Sequence, residues 1–472
     1  MLELCAIRVD PSRTPQTGVS WGYVASSGTY TRSFLAICNF PPPFDPASPL
    51  TTMSPSAIAN GARQQPFKIL VIGGSYAGLA SSLNLLDLCH GKPARFLPDT
   101  PAPAKKIPVE ITLVDERDGF MHLISTPLAH ASDEFTPKAW AKFDDVAALK
   151  APGVRHLHGS VVSVDCEKKT AKISNKAGHE QIEESYDYLI VGSGLKRAWP
   201  VVAQSLDKNS YLAEVGNHIK GLKDARQGVV VVGGGAVGIE MAAELKLIYP
   251  SLRVTLIHSR DKLLSSEPLP DDFKDRTLAV LHETGVETIM GRRVLETTPA
   301  TSEDGSPIYK LTLSDGSQVT TGQVVNALSK SIPTSSYLPK AILDEEGYVK
   351  VQPSLRFQDL VPNAEFHYAA GDIVKWSGIK RCGAAMHMGQ YAAQNIHAHM
   401  LKEVPGVEPT WKELSEFPPM IGLAVGKKAV VYDPQEGTSD GEHLMKSYFE
   451  QDLGHQICWN YMQLGREFVA VA

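Results

Sequence analysis

The chain's first apolar run of strand length is Phe67-Lys-Ile-Leu-Val-Ile72, and a glycine turn, Gly73-Gly-Ser-Tyr-Ala-Gly78, follows it at once. Beyond the turn, Leu79, Leu83 and Leu86 recur at helical spacing, so the pattern predicts strand, tight turn and amphipathic helix. A second apolar run, Val109-Glu-Ile-Thr-Leu-Val-Asp115, predicts the next strand and ends on an acid. The same order then repeats. Gly228-Val-Val-Val-Val-Gly-Gly-Gly-Ala-Val-Gly238 is a run and a turn, a helix continues through Leu245 to Ile248, and Arg253-Val-Thr-Leu-Ile257 is the following strand. A third signal, Glu365-Phe-His-Tyr-Ala-Ala-Gly-Asp372, is a short strand ending in Gly-Asp ahead of a helix predicted over 383–400. Strands alternating with helices predict an α/β chain with parallel sheets.

Residues 1–66 break this rhythm. Pro41, Pro42, Pro43, Pro46, Pro49 and Pro55 preclude long helices or interior strands there. The stretch reads as a disordered extension, with Met53 as an alternative start. Arg8, Arg13 and Arg32 among many Ser and Thr give it some transit-peptide character, against which Glu3 and Asp10 fall early. The compartment expected is cytoplasmic, with a mitochondrial one as the alternative.

Composition narrows the function classes. The 472 residues are 43% hydrophobic and 21% charged, as in ordinary globular proteins. A net charge of −6 gives no reason to expect nucleic acid as a partner. No run approaches the ~18 apolar residues of a spanning helix, which leaves only peripheral membrane contact open. Cys5, Cys38, Cys89, Cys166, Cys382 and Cys458 form no CxxC or CxxxxC pair, so neither a zinc site nor a local redox dithiol is expected, and no metal is assigned.

The two turns carry the chemistry. Strand, glycine turn and helix form the context of a dinucleotide fingerprint, in which the first glycine makes the turn and the last lets helix and strand pack closely. Gly73 and Gly78 fill those roles in the first copy, with Gly74, Ser75, Tyr76 and Ala77 between them and Ser75 where the middle glycine usually stands. Asp115 is placed to accept hydrogen bonds from a ribose 2′-OH. Gly233, Gly235 and Gly238 make the full pattern in the second copy, but the strand after it runs into His258, Ser259 and Arg260 without an acid. Such an end admits or binds a 2′-phosphate, so NADPH is expected to be accepted, with NADH left open; the plain alternative for Arg260 is a solvated surface arginine. Two fingerprints imply two Rossmann-like domains and two dinucleotides, a held flavin and an exchanging nicotinamide. Gly371 and Asp372 then fall where an aspartate bonds a flavin's ribityl chain, and the next helix directs its N-terminus at the ring.

The run Val229–His258, above all Val-Val-Val-Gly-Gly-Gly-Ala-Val-Gly-Ile-Glu-Met-Ala-Ala-Glu-Leu-Lys and Tyr-Pro-Ser-Leu-Arg-Val-Thr-Leu-Ile-His-Ser, resembles the AIF-homologous, mitochondrion-associated oxidoreductases of the ferroptosis-suppressor type. More distantly the chain is similar to type II NADH dehydrogenases and other flavoproteins of the pyridine-nucleotide-disulfide-reductase type. The resemblance spans about 67–400. It implies FAD at Gly73–Gly78, Asp115 and Asp372, with a backbone contact to the adenine near Val161. It also implies NAD(P)H at Gly233–Gly238 and electrons passed to a quinone or similar acceptor. Departures from that pattern are Ser75, Gly192-Ser193-Gly194 and Ala327-Leu328-Ser329 in place of Ala-Thr-Gly, and Leu128 where a family arginine can contact FAD. The family's N-terminal lipidation glycine is absent, so membrane targeting is not carried over.

An FAD domain of 67–195 and 325–400 is expected to be interrupted by an NAD(P)H domain of 196–324, with 401–472 as a C-terminal segment. That segment covers the flavin or forms a homodimer interface, and Tyr448, Phe449, Trp459 and Tyr461 either stack a flat acceptor or fill a core. Hydride transfer needs orientation more than side-chain chemistry. The catalytic candidates are Glu240, in the first helical turn, to orient the nicotinamide carboxamide, and Lys196 beside Arg197 to stabilise the flavin anion or bind acceptor. His122 and His387 are candidates for proton delivery. The function expected is an FAD-dependent NAD(P)H oxidoreductase with a small-molecule, quinone-like electron acceptor. A biosynthetic flavoenzyme acting on one metabolite, and a redox-sensing interaction protein, remain as alternatives.

Overall fold

The computed structural model describes residues 65–469 except 104, 176–180, 329 and 405. The extension read from residues 1–66 therefore lies almost wholly outside the described residues. The elements follow in chain order: β1 (Phe67–Ile72), α1 (Tyr76–Cys89), β2 (Val109–Asp115), β3 (Gly119–Met121), α2 (Thr126–Ala129), β4 (Trp140–Lys142), β5 (Val154–Asp165), β6 (Thr170–Asn175), β7 (Gln181–Ser185), β8 (Tyr188–Val191) and β9 (Leu195–Lys196). Next come α3 (Lys208–Asp224), β10 (Val229–Val232), α4 (Ala236–Ile248), β11 (Val254–Ile257), α5 (Asp271–Glu283), β12 (Glu287–Ile289), β13 (Val294–Thr301), β14 (Pro307–Leu313), β15 (Gln318–Thr321), β16 (Gln323–Asn326) and β17 (Ile332–Pro333). The chain closes with β18 (His367–Ala369), α6 (Cys382–Leu401), β19 (Ile421–Val425), β20 (Lys428–Asp433), β21 (Gly437–Gly441), α7 (Glu442–Tyr448) and α8 (His455–Tyr461).

Two α/β units result, as the pattern predicts. The first sheet runs β18-β8-β1-β2-β5-β6-β7 and is parallel from β18 to β5. Its central strand β1 is a near-continuous apolar run because helices and loops cover both faces. The second sheet runs β12-β11-β10-β16, wholly parallel, with an antiparallel meander β13-β14-β15 beside it. The chain leaves the first unit at β9 and returns at β17, and these two short strands pair with each other.

One expectation about α1 needs correction. Its leucines predict an amphipathic helix, yet every residue of α1 is buried. The face away from the sheet is small (Ala77, Ala80, Ser81), and α6 lies across it. A Cβ on Gly389 of α6 would come within 2.5 Å of the Ala77 carbonyl oxygen. Close helix approach needs small residues on both sides, and such residues leave no apolar stripe to read.

The C-terminal segment joins both units. The sheet β19-β20-β21 packs on α4 and α5, where Arg276 of α5 makes a two-pronged ion pair with Asp440 at 2.6 and 2.7 Å. Residues 449–464 then return to the first unit. The Ala148 N–H donates to the Leu464 carbonyl at 3.0 Å, and Gln463 donates to the Arg95 carbonyl at 3.3 Å. Among the described residues no helix is long and apolar enough to cross a membrane.

Candidate functional site

The first glycine turn leaves the carboxyl end of β1 at the middle of its sheet, the position where open α/β sheets bind ligands. Gly73 has φ +100°, a conformation that L side chains rarely adopt. A Cβ on Gly78 would lie 1.7 Å from the Gly73 carbonyl oxygen, so the first turn of α1 sits directly on the strand end. Ser75 caps α1, but its Oγ is buried and bonds nothing, and the first turn of α1 holds no acid. The 14-residue α1 thus starts without a side-chain cap on its N–H groups and with an unpartnered hydroxyl beside them, a setting suited to a phosphate. Asp115, one residue past the register partner of Ile72, accepts from Gly74 N–H at 2.6 Å and Arg117 N–H at 2.7 Å. These residues fit the pyrophosphate and ribose of FAD. Val161 lies beside a bulge in β5, next to the segment that runs alongside Asp115.

The second turn is built on the same plan. Gly233 has φ +119°, and a Cβ on Gly238 would lie 1.9 Å from the Gly233 carbonyl oxygen. Gly73 N–H bonds the Val114 carbonyl at 2.8 Å, and Gly233 N–H bonds the Ile257 carbonyl at 2.9 Å. Gly235 caps α4 without a side chain, and no acid stands in the first turn. Where Asp115 accepts from Gly74, His258 Nδ1 accepts from Gly234 N–H at 3.1 Å. Ser259 and Arg260 follow on the surface, both exposed. His258 and Asp115 each stand one residue past the register partner of the last residue of the central strand, a match that a search for an acid passes over.

The third signal closes on the first turn. Gly371 has φ +81°, and a Cβ there would come within 2.9 Å of the Ala77 Cβ. Asp372 faces Arg197 at 3.6 Å, with both side chains about one quarter exposed. Lys380, just ahead of α6, donates to the Val374 carbonyl at 2.8 Å and lies 4.6 Å from the Tyr348 ring centre. Burial lowers its pKa, and the nearby Asp372 charge opposes that shift. Lys196 is exposed on β9. The structure therefore brings Gly73–Gly78, Asp115, Gly371, Asp372 and Arg197 to one end of the first sheet.

Other candidates stand differently. Glu240 lies in the second turn of α4 rather than its first, because the helix starts at Ala236. Its Oε1 accepts from Ala424 N–H of β19 at 3.1 Å, so the carboxyl is turned to the C-terminal sheet. His387 is packed on Tyr391 at 4.1 Å between ring centres, and burial lowers its pKa to about 4. Burial thus favours the neutral form of its imidazole. His122 is fully buried and lowered to about 3. Its Nε2 lies 3.1 Å from the Leu453 carbonyl, which only accepts, so Nε2 carries the hydrogen and Tyr76 Oη donates to Nδ1 at 3.1 Å. Leu128 packs with Phe135, Ala424, Phe449 and Leu453 beneath the C-terminal segment. Tyr461 packs on Phe96 at 4.4 Å, whereas Trp459 stacks on His455 at 6.0 Å and stays half-buried. Thr126 went unread: its Oγ1 is buried without a partner, two residues past Ile124, whose N–H reaches Tyr76 Oη at 3.5 Å. The Thr-Pro pair that opens α2 is its only mark in the sequence.

Burial raises Glu240 to about 8 and Glu244, one turn on, to about 7. Both values lie above the 4.5 of a free glutamate, so the fold holds protons that the unfolded chain releases. Their contribution is complete below that value and is lost as pH rises through 7 to 8. Glu240→Gln keeps an acceptor for Ala424. It is expected to unfold at the wild-type temperature near about pH 5 and at a higher temperature near about pH 9. An equal difference at both values would contradict a buried, protonated carboxyl.

Comparison with known proteins agrees with this geometry. The pyridine nucleotide-disulphide oxidoreductase family matches residues 67–389. Oxidoreductase OXR1 of Ajellomyces capsulatus is 51% identical over 441 residues, covering 92% of this chain and 95% of that protein. Ferroptosis suppressor protein 1 of Xenopus tropicalis is 24% identical over 342 residues, covering 72% of this chain and 82% of that protein. Among solved structures, the water-forming NADH oxidase of Lactobacillus brevis bound to NADH shares the fold. It has a TM-score of 0.55 and 19% identity, over 77% of this chain and 74% of that one. Its engineered NADPH-bound form gives a TM-score of 0.56 at 20% identity over the same shares of the two chains. The chain belongs to the pyridine nucleotide-disulphide oxidoreductase family and is an oxidoreductase of the FAD- and NAD(P)H-dependent kind.

Proposed function

We propose that this protein oxidises NADPH, with NADH as a second coenzyme, and delivers the electrons by way of FAD to a quinone-like acceptor. The observation that carries the reading is the matched pair of glycine turns, one ending on Asp115 and the other on His258 and Arg260. The first holds the flavin's nucleotide half through Gly73, Gly74, Ser75, Tyr76, Ala77 and Gly78. Asp115 takes the ribose, Val161 the adenine, and Gly371 with Asp372 the ribityl chain. The second holds NAD(P)H at Gly233, Gly235 and Gly238, with Ser259 and Arg260 at a 2′-phosphate. The flavin, when bound, supplies hydride acceptance from the nicotinamide and electron release to the acceptor.

The side chains contribute position and charge. Arg197 is held between Asp372 and Ser331 Oγ, the latter at 3.2 Å, and with Lys196 places positive charge beside the flavin end. Glu240 holds a proton on its carboxyl up to about pH 8 while it ties α4 to β19. The acceptor class rests on the family resemblance of the central stretch. The return of residues 449–464 onto the first unit supports it, since this leaves Trp459 and His455 half-buried with their rings stacked. A flat, largely apolar acceptor suits such a surface.

The test mixes coenzyme-reduced enzyme, without oxygen, with menadione and a short-chain ubiquinone. Re-oxidation within the turnover time is expected. Reduced enzyme that persists with every quinone would remove the quinone assignment and favour a dedicated small-metabolite substrate.

A further inference from the structure

We propose that the cavity formed by segment 143–150 with β2 and β5 is a binding site for a neutral, single-ring phenol, held by its hydroxyl on His156 and by its ring on an apolar floor. The site goes beyond the coenzyme and acceptor reading and stands independently of it. The cavity measures about 250 Å³. Protein interiors hold few voids larger than a water molecule, so a space of this size is unusual. Leu113 of β2, Phe143, Leu149 and Val154 of β5 line it, and the first three are buried. A cavity of about 150 Å³ with a similar lining takes up benzene, whereas pockets for drug-sized ligands start at about 300 Å³. The volume thus suits one substituted ring and is too small for a nucleotide.

One polar group breaks the apolar wall. His156 of β5 lines the cavity, and its Nε2 is buried without a partner. Its ring lies 4.5 Å from the Phe143 ring and 6.3 Å from that of His158, centre to centre. Burial lowers its pKa to about 4, His158 acts in the same direction, and Asp144 and Asp118 oppose the shift. Burial thus favours the neutral imidazole, which has one nitrogen to donate and one to accept. A phenolic hydroxyl also donates and accepts, so it satisfies either tautomer. The mouth of the cavity favours no charge. Asp144 and Lys150 stand there exposed, one of each sign, while Arg155 is paired with Glu184 at 2.6 Å. Neither an anion nor a cation gains from such a rim over a neutral ligand.

The cavity is separate from the flavin path. His156 is the register partner of Leu113, two residues before Asp115, and Asp115 itself pairs with His158. Val161, the proposed adenine contact, lies five residues further along the chain, about 16 Å in an extended strand. Phe143 stands between the two sites. A Cβ on Gly74 would come within 2.3 Å of Phe143 Cζ, so this ring touches the first glycine turn and lines the cavity as well.

The test follows the fluorine resonances of 4-fluorophenol and of fluorobenzene, the same ring without the hydroxyl, in titrations of the purified protein. FAD is kept in excess, so that binding in the flavin site is not read. Saturable binding of 4-fluorophenol is expected, about tenfold tighter than that of fluorobenzene, the size of one buried hydrogen bond. His156→Phe keeps a ring in the wall and removes both nitrogens, so the two probes should then bind alike. Leu149→Trp fills the cavity and should abolish binding of both. Circular dichroism checks the fold of each variant, and His156→Phe decides alone where Leu149→Trp does not fold. Wild-type protein that shows no saturable binding, a hydroxyl advantage that survives His156→Phe, or unchanged binding to folded Leu149→Trp would overturn the proposal. The last two results would place the phenol elsewhere, such as the acceptor site.

Discussion

Gly78→Ala is expected to yield a colourless protein. The added methyl carbon would sit 1.7 Å from the Gly73 carbonyl oxygen and 2.9 Å from its carbon, far inside any real contact. Neither partner is a flexible side-chain tip, so relief requires α1 to lift off the end of β1. That displacement shifts the N–H groups of the turn and Ser75 Oγ from their places at the strand end, and with them the proposed pyrophosphate contacts. FAD affinity should fall by at least about a hundredfold, roughly two charge-assisted hydrogen bonds lost together. The ratio of visible flavin absorbance to protein absorbance reads the outcome directly, and quenching of added FAD gives the affinity. Circular dichroism separates cofactor loss from unfolding. Gly216→Ala is the matched control: this glycine lies within α3 with no atom near its Cβ, so alanine there should leave the flavin bound and raise stability by about 0.5–1 kcal/mol. Gly78→Ala protein with full flavin content would refute the placement of FAD at the first turn.

Gly238→Ala is expected to give the opposite phenotype, a yellow protein that coenzyme no longer reduces. Its added carbon would lie 1.9 Å from the Gly233 carbonyl oxygen and 3.1 Å from the Ala327 Cβ. The clash is the same in kind, but it falls in the second unit, whose core around β10 and α4 is separate from the one around β1 and α1. Flavin content should stay at the wild-type level. The rate of flavin reduction by NADPH and by NADH should fall by about a hundredfold or more at sub-saturating coenzyme. The pair of variants thus divides the two half-sites. A Gly238→Ala enzyme reduced at the wild-type rate would mean that the second turn does not receive the coenzyme.

The glycine turns were legible in the sequence because their requirement is steric and local. Gly73 and Gly233 need positive φ, Gly78 and Gly238 need the absence of a Cβ, and all four can be recognised from neighbours within a few residues. The parallel strands were legible for a similar reason: β1, β2, β10 and β11 are buried on both faces and read as apolar runs. At the end of the second copy the bond from Gly234 to His258 was not legible, because the pattern there is read for an acid and an imidazole accepts the same N–H. Glu240 shows the harder case. Its partner Ala424 lies 184 residues away, and nothing near either residue marks the contact. The meander β13–β15 left little trace because β13 is largely exposed and carries no apolar alternation. Leu128 and Thr126 depend on how residues 119–142 fold over the first turn and meet residues 449–464, a packing set by several segments at once. What chain-distant partners decide was not legible; what one turn decides was.

The most direct measurement is an anaerobic stopped-flow titration of the purified protein with NADPH and with NADH, followed at the visible flavin band. The account predicts a yellow protein bleached by one equivalent of coenzyme, faster with NADPH than with NADH. A yellow protein that neither coenzyme bleaches, or a colourless one that takes up no added FAD, would contradict it.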